Sequence, residues 1–98
     1  MAGLLDDVKV ALRVSSNKTD VEVQALIYAA VADMLRIGVS PSLLKEESMD
    51  PICKSAVLLY CKGMYGFDNA DAPLFLDAYR ATVKNIANSP TQFTEVGE

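Results

Sequence analysis

The apolar positions along this chain recur with the spacing of α-helices, and strand-like alternation is not evident. The clearest stretch is residues 20–37, where every third or fourth residue is apolar. The positions predicted to face the core there are Val23, Leu26, Ile27, Ala30, Val31, Met34 and Leu35. Thr19 and Glu22 have the spacing of a capping box, and Gly38 is a typical stop. The pattern predicts one long amphipathic helix.

Two further amphipathic helices are predicted, over residues 4–14 and 73–87. The polar link SSNKT is short, so the first helix is expected to form an antiparallel hairpin with the helix over residues 20–37. Asp71 is predicted to cap the last helix, which Pro73 opens. The predicted inward positions are Leu5, Val8 and Leu12 in the first helix and Phe75, Tyr79, Val83 and Ile86 in the last.

A fourth predicted helix, over residues 51–65, is apolar almost all round. Asp50-Pro51 gives it an acidic cap followed by proline at the first helical position. Only Lys54, Ser55 and Lys62 interrupt the apolar run. Such a helix is either central in the bundle or covered on its far side by a partner, so we expect an interface between subunits or with a partner there.

Composition limits the possible functions. Ninety-eight residues make one domain. Thirteen acidic residues against nine basic ones give a net charge of −4, which is unsuited to a duplex-DNA or anionic-membrane binder. Histidine is absent, which removes the usual general base. Without a signal peptide or a long apolar segment, the protein is expected to be soluble and cytoplasmic.

The motifs that could carry chemistry are incomplete. The two Ser-x-x-Lys tetrads, at residues 15–18 and 42–45, lack the other motifs of the acyl-transfer enzymes that use them. The acidic run at residues 68–71 fails as a calcium loop, and the Gly-x-x-Gly at 63–66 lacks the flanks of an RNA-binding domain. We therefore expect an all-α protein that is not an enzyme and has no catalytic, cofactor or metal site.

Two cysteines, Cys53 and Cys61, are predicted to be free thiols. They are eight residues apart in one predicted helix. Their Cα atoms would therefore lie about 12 Å apart, which is too far for a disulfide.

Four segments together resemble a known family. They are LLDDVKVALRV, VEVQALIYAAVADMLRIGV, DPICKSAVLLYCKGMYGFDN and FLDAYRATVKNIA. The arrangement resembles the small head–tail connector proteins (adaptor or head-completion proteins) of tailed bacteriophages and related prophages. The most typical pieces are the Leu-Arg that closes the first helix, Asp50-Pro51, and the Tyr-x-Lys-Gly-x-Tyr-Gly run. Many relatives carry a larger aromatic residue or Ala-Asn where Gly63-Met64 stand here.

The resemblance implies a structural role without catalysis. The four predicted helices would form the connector domain, over residues 1–88, and residues 89–98 are predicted to be a flexible tail, because TQFTEVGE has little to bury except Phe93 and Val96. The resemblance further implies a ring of about twelve copies beneath the portal protein. The ring extends the DNA channel and receives a stopper or tail-completion protein. DNA passes through without sequence-specific binding, and no membrane is involved. The expected location is the virion head–tail interface, and the host cytoplasm before assembly.

The residues predicted to contact other subunits or the portal are Leu58, Lys62, Tyr65, Phe67 and Phe93. The alternative is a small all-α regulatory or scaffolding protein, including a helix-turn-helix DNA-binding protein. Against a helix-turn-helix, the link between the second and third helices is about a dozen residues rather than three or four.

Overall fold

The computed structural model describes residues 3–65 and 70–88, and all regular structure within them is helical. The α-helices are α1 (Leu4–Leu12), α2 (Asp20–Ile37), α3 (Pro51–Met64) and α4 (Ala72–Ala87). Single 3-10 turns lie in the links, at Asn17–Thr19, Pro41–Leu43 and Glu46–Ser48. The predicted all-α fold of four helices is confirmed. The tail predicted over residues 89–98 lies outside the described residues.

Helix α3 begins as Asp50-Pro51 predicts, with Asp50 as its N-cap residue. The carboxylate of Asp50 accepts hydrogen bonds from the backbone N–H groups of Ile52 (3.0 Å) and Cys53 (3.3 Å). These N–H groups have no partner within the helix, and Pro51 fills the first helical position, where no N–H is needed. The predicted acidic cap is confirmed.

Thr19 and Asp71 stand at the N-cap positions of α2 and α4 as predicted, but neither side chain makes the cap hydrogen bond expected of it. The Thr19 side chain does not cap α2: its hydroxyl donates to the carbonyl of Ser16 (2.8 Å), because Thr19 already belongs to a 3-10 turn. Ser16 caps that turn instead and accepts from the Lys18 N–H (3.1 Å). Asp71 makes no side-chain cap bond, and α4 begins at Ala72, one residue before Pro73.

Two left-handed residues end α1 and α2. Arg13 has φ of 61°, so α1 stops at Leu12 rather than at residue 14 as predicted. Gly38 has φ of 122°, and its N–H donates to the Met34 carbonyl (3.1 Å). The glycine stop of α2 is therefore confirmed, and its backbone angle is one that side chains disfavour.

The core lies where α3 meets the other three helices. The buried apolar residues of α2 are Val23, Ile27, Ala30 and Met34, and those of α4 are Tyr79, Val83 and Ile86. Leu35, predicted to face the core, is instead 43% exposed. It follows the buried Met34, and one residue along a helix is a rotation of about 100°, which carries Leu35 to the outer side.

The close contact between α3 and α4 depends on Gly63. A Cβ at this position would lie 2.6 Å from Leu76 Cδ2 and 2.7 Å from its Cγ. Such distances are far below van der Waals contact, so any larger residue at this position would have to displace the Leu76 side chain of α4. The prediction that Gly63 permits close helix packing is confirmed.

Both cysteines are free and fully buried, as predicted. Burial raises the pKa of Cys61 from 9.0 to about 12. Burial, with the negative charge of Asp50, raises the pKa of Cys53 to about 11. Both thiols are therefore protonated at neutral pH and shielded from reagents.

Stability should fall as the pH rises above 9. In the unfolded chain the thiols ionise near pH 9.0, while the folded protein keeps their protons to about pH 11. Alkaline conditions therefore favour the unfolded state, by up to about 1.4 kcal/mol per pH unit for each thiol. Thermal unfolding between pH 8 and 10 measures this, and Cys61→Ala should make the decline shallower. An unchanged melting temperature over this range would contradict the assignment.

Candidate interaction surfaces

Two of the five predicted interface residues, Leu58 and Lys62, lie on one side of α3, and a third, Tyr65, directly follows the helix. The backbone of Tyr65 is extended, although its N–H still donates to the Cys61 carbonyl (2.9 Å). All three residues are half-buried. Leu58 and Tyr65 pack against the core with one edge and present the rest to solvent. Phe67 and Phe93 lie outside the described residues.

We call this side of α3, together with Tyr65 just after its end, the α3 face: Ile52, Ser55, Leu58, Lys62 and Tyr65. Ile52 is 59% exposed, and Ser55 is also exposed. The Lys62 ammonium lies 5.7 Å from the centre of the Phe75 ring on α4, within the range of a cation–π interaction. The face is thus largely apolar and carries a positive charge held beside an aromatic ring.

A groove of about 710 Å³ lies between α2, α3 and α4. Its lining residues are Ala29, Ala32, Asp33, Arg36, Ile37, Tyr60, Met64, Leu76, Tyr79 and Arg80. The Tyr79 hydroxyl donates to Asp33 Oδ2 (2.7 Å), and Arg36 donates to Asp33 Oδ1 (2.5 Å). Tyr60 meets the Tyr79 ring edge-on, at 5.2 Å between centroids. This cluster ties α2 to α4.

Asp33 and Tyr79 keep their ordinary charge states at neutral pH. Burial acts to raise the pKa of Asp33, but the hydrogen bonds from Tyr79 and Arg36 outweigh it and hold that pKa below 3.8. Burial and the hydrogen bond to Asp33 both raise the pKa of Tyr79. Tyr79 therefore remains a neutral donor to an ionised Asp33. We interpret the contact as structural.

The contact between Tyr79 and Asp33 has no signal of its own in the sequence. Tyr79 was predicted to face inward, but Asp33 falls on the polar side of α2, 46 residues away along the chain. The only local signal is Asp33 three residues before Arg36, which indicates an ion pair on the helix surface.

Tyr79→Phe should destabilise the protein by about 1–2 kcal/mol at pH 7, since it removes a hydrogen bond to a charged group. A carboxyl with a lowered pKa stabilises the fold above its unfolded pKa, and that contribution is lost as the pH falls through the folded value. The difference in free energy of unfolding between Tyr79→Phe and wild type should therefore become smaller below about pH 3.8. Urea unfolding of both proteins at pH 7 and at pH 3 measures this difference. Tyr28→Phe is the matched control, because Tyr28 is 63% exposed. Equal effects of the two substitutions would contradict the role of Tyr79.

Residues 3–65 and 70–88 contain no group of three or more His, Cys, Asp or Glu side chains placed to hold a metal ion. No helix among these residues combines the length and the apolar character needed to cross a bilayer.

A small helical domain that presents large apolar side chains on several helices is typical of proteins that act through contact with other proteins. The family model described as phage connector protein matches residues 4–91, and the chain belongs to that family. This is a family of phage structural proteins rather than enzymes, and it confirms the resemblance seen in the sequence. Neither a curated protein nor a solved structure matches the chain significantly.

Proposed function

We propose that this protein joins the head of a phage to its tail, as a ring that assembles under the portal protein and extends the DNA channel. The observation that carries the proposal is the family match, which spans all four helices. Docking of the ring on a filled head would complete DNA packaging. The protein would belong to the finished virion and pass through the host cytoplasm before assembly.

Its partners would be other copies of itself, the portal protein, and a stopper or tail-completion protein. A ring of about twelve copies would surround the channel. The net charge of −4 per chain supports a channel through which DNA passes without sequence-specific binding, because acidic surfaces repel the phosphate backbone.

The α3 face is the proposed contact between subunits, with Phe67 following it in the sequence. Leu58 and Tyr65 offer apolar surface that a neighbour could cover. Lys62, within the face, lies beside the Phe75 ring, and the neighbouring Lys54 is paired with Asp7. A neighbour that covered the apolar side chains would therefore also have to meet the positive charge of Lys62.

Antibody labelling of purified tailed particles tests the proposed location. Gold particles carrying an antibody against this protein should be found at the junction of head and tail, on particles treated to expose that joint. Labelling confined to the capsid shell or to the tail tube would contradict the proposal, as would absence of the protein from the particles by mass spectrometry.

Residues 89–98 are proposed to bind the portal or a neighbouring subunit, with Phe93 as the apolar anchor. Deleting this segment should leave the melting temperature of the isolated protein unchanged and weaken its binding to purified portal. Phe93→Ala should reproduce most of the loss in binding, while Thr94→Ala, beside it, should not. A lower melting temperature on deletion would mean that the segment packs on its own domain.

A further inference from the structure

Helix α2 has a second apolar stripe in addition to its buried one. Its members, here called the α2 stripe, are Val21, Ala25, Tyr28, Ala32 and Leu35. All five are exposed, Val21 by 83% and Tyr28 by 63%. Their alternating spacing of four and three residues is that of a coiled-coil seam, which packs lengthwise against another helix. The stripe is about 21 Å long, because each of the fourteen steps from Val21 to Leu35 advances about 1.5 Å along the helix.

The α2 stripe lies on the side of the helix opposite the core. At about 100° of rotation per residue, its centre is roughly 150° from that of the buried stripe formed by Val23, Ile27, Ala30 and Met34. The other three helices therefore leave it uncovered. Amphipathic surface helices usually have charged residues in this position.

A hollow beside the stripe contains a buried polar group. It is lined by Leu5, Asp20, Val21, Gln24, Ala25 and Tyr28. The Gln24 side-chain nitrogen is shielded from solvent and has no hydrogen-bond partner among the described residues. A buried donor without an acceptor costs about 1–3 kcal/mol, so an incoming chain that supplies an acceptor would be favoured here.

We propose that the α2 stripe packs against the α3 face of the next copy in the ring. The inference rests on the proposed ring. A closed ring of three or more identical chains needs two different surfaces on each chain, because each copy contacts one neighbour with each surface. Since α2 and α3 bury their facing sides against each other and the rest of the core, the α2 stripe and the α3 face point away from one another.

Charge supports this pairing over a pairing of like surfaces. In α2, Asp20 is paired with Lys9 and Asp33 with Arg36, which leaves the exposed Glu22 as the acid beside the stripe. In α3, Lys54 is paired with Asp7, and Lys62 is the base on the α3 face. Contact of α2 with α2 would bring two copies of Glu22 together and contact of α3 with α3 two copies of Lys62, whereas α2 against α3 brings an acid near a base.

Cysteine cross-linking in assembled particles tests the pairing. Ala25→Cys lies in the middle of the α2 stripe and Ser55→Cys on the α3 face, and both positions are exposed. A phage lacking the gene is complemented with the double variant, and purified particles are treated with a short bismaleimide. Because every copy then carries both partners, cross-links should extend from copy to copy and give a ladder of dimers, trimers and larger species. Ala32→Cys with Ser55→Cys is a second pair, which would be close enough to cross-link if α2 is shifted along α3 relative to the first pair.

The pairing predicts cross-links only where both cysteines are present. Wild type should give no cross-link, because Cys53 and Cys61 are buried. Each single variant should also give none. Dimers from Ala25→Cys alone would show that α2 pairs with α2 and would overturn the inference. Particles that contain the double variants but give no ladder with either pair would overturn it as well, while leaving the proposed function intact. Infectious tailed particles that lack the protein would overturn the proposed function itself.

Discussion

Replacing Leu58 with Asp should abolish the formation of tailed infectious particles. Leu58 is at the centre of the α3 face, where the proposed contact would bury the new carboxylate against apolar side chains. An unpaired buried charge costs about 3 kcal/mol or more, and a ring repeats that cost at every subunit contact. Complementation of a gene deletion, scored as plaque titre, should show a loss of several orders of magnitude.

A milder variant separates assembly from folding. Leu58 also packs on the core, so Leu58→Asp lowers the stability of the monomer as well. Ser55→Asp places the same charge on the exposed part of the face, so it should lower the titre and leave the melting temperature unchanged. Asn85→Asp adds that charge on the exposed side of α4 and serves as the control. A wild-type titre for both Ser55→Asp and a folded Leu58→Asp would refute an interface at α3.

Gly63→Leu should lower the free energy of unfolding of the monomer more than Tyr79→Phe or Gly63→Ala does. Even the first added carbon would lie 2.7 Å from Leu76 Cγ and 3.4 Å from the Ala72 carbonyl oxygen. Four carbons cannot fit without moving Leu76 and α4 away from α3, and overpacking on this scale costs up to about 3 kcal/mol. Urea unfolding should give a correspondingly lower midpoint.

Gly63→Ala distinguishes a steric effect from a general loss of helix stability. Alanine stabilises a helix by about 1 kcal/mol relative to glycine, so any destabilisation must come from the clash with Leu76. In a Leu76→Ala background the clash is removed, and Gly63→Ala should then become stabilising. If it is equally destabilising in both backgrounds, Leu76 is not the obstacle.

The helices could be predicted because their signals are local. Asp50-Pro51 fixes the start of α3, and the long apolar repeat fixes α2 from Asp20 to Ile37. The predictions failed at helix ends, where more than one local hydrogen-bonding arrangement is compatible with the same residues. Thr19 is an acceptable cap by type, but a 3-10 turn capped by Ser16 precedes the helix. Arg13 adopts a left-handed conformation that its residue type does not favour.

The interaction surfaces were predicted less completely, since a surface depends on what the rest of the fold leaves uncovered. The apolar run of α3 indicated an interface, but it did not show that Leu58 and Tyr65 also pack on the core. In α2 the apolar repeat that faces the core explains why the sequence is helical. The second set of apolar residues, which includes Val21, Ala25 and Tyr28, stands out only because the fold leaves these residues exposed. The hydrogen bond from Tyr79 to Asp33 depends on how α2 and α4 meet, which no short-range pattern encodes.

Deleting the gene from the phage or prophage that encodes this protein tests the central claim most directly. After induction, electron microscopy should show heads that have packaged DNA but are tailless or have leaked it, beside complete separate tails, because each part assembles without the joint. Expression of the intact gene from a plasmid should restore joined particles. Normal numbers of infectious tailed particles from the deletion strain would contradict a role at the head–tail joint.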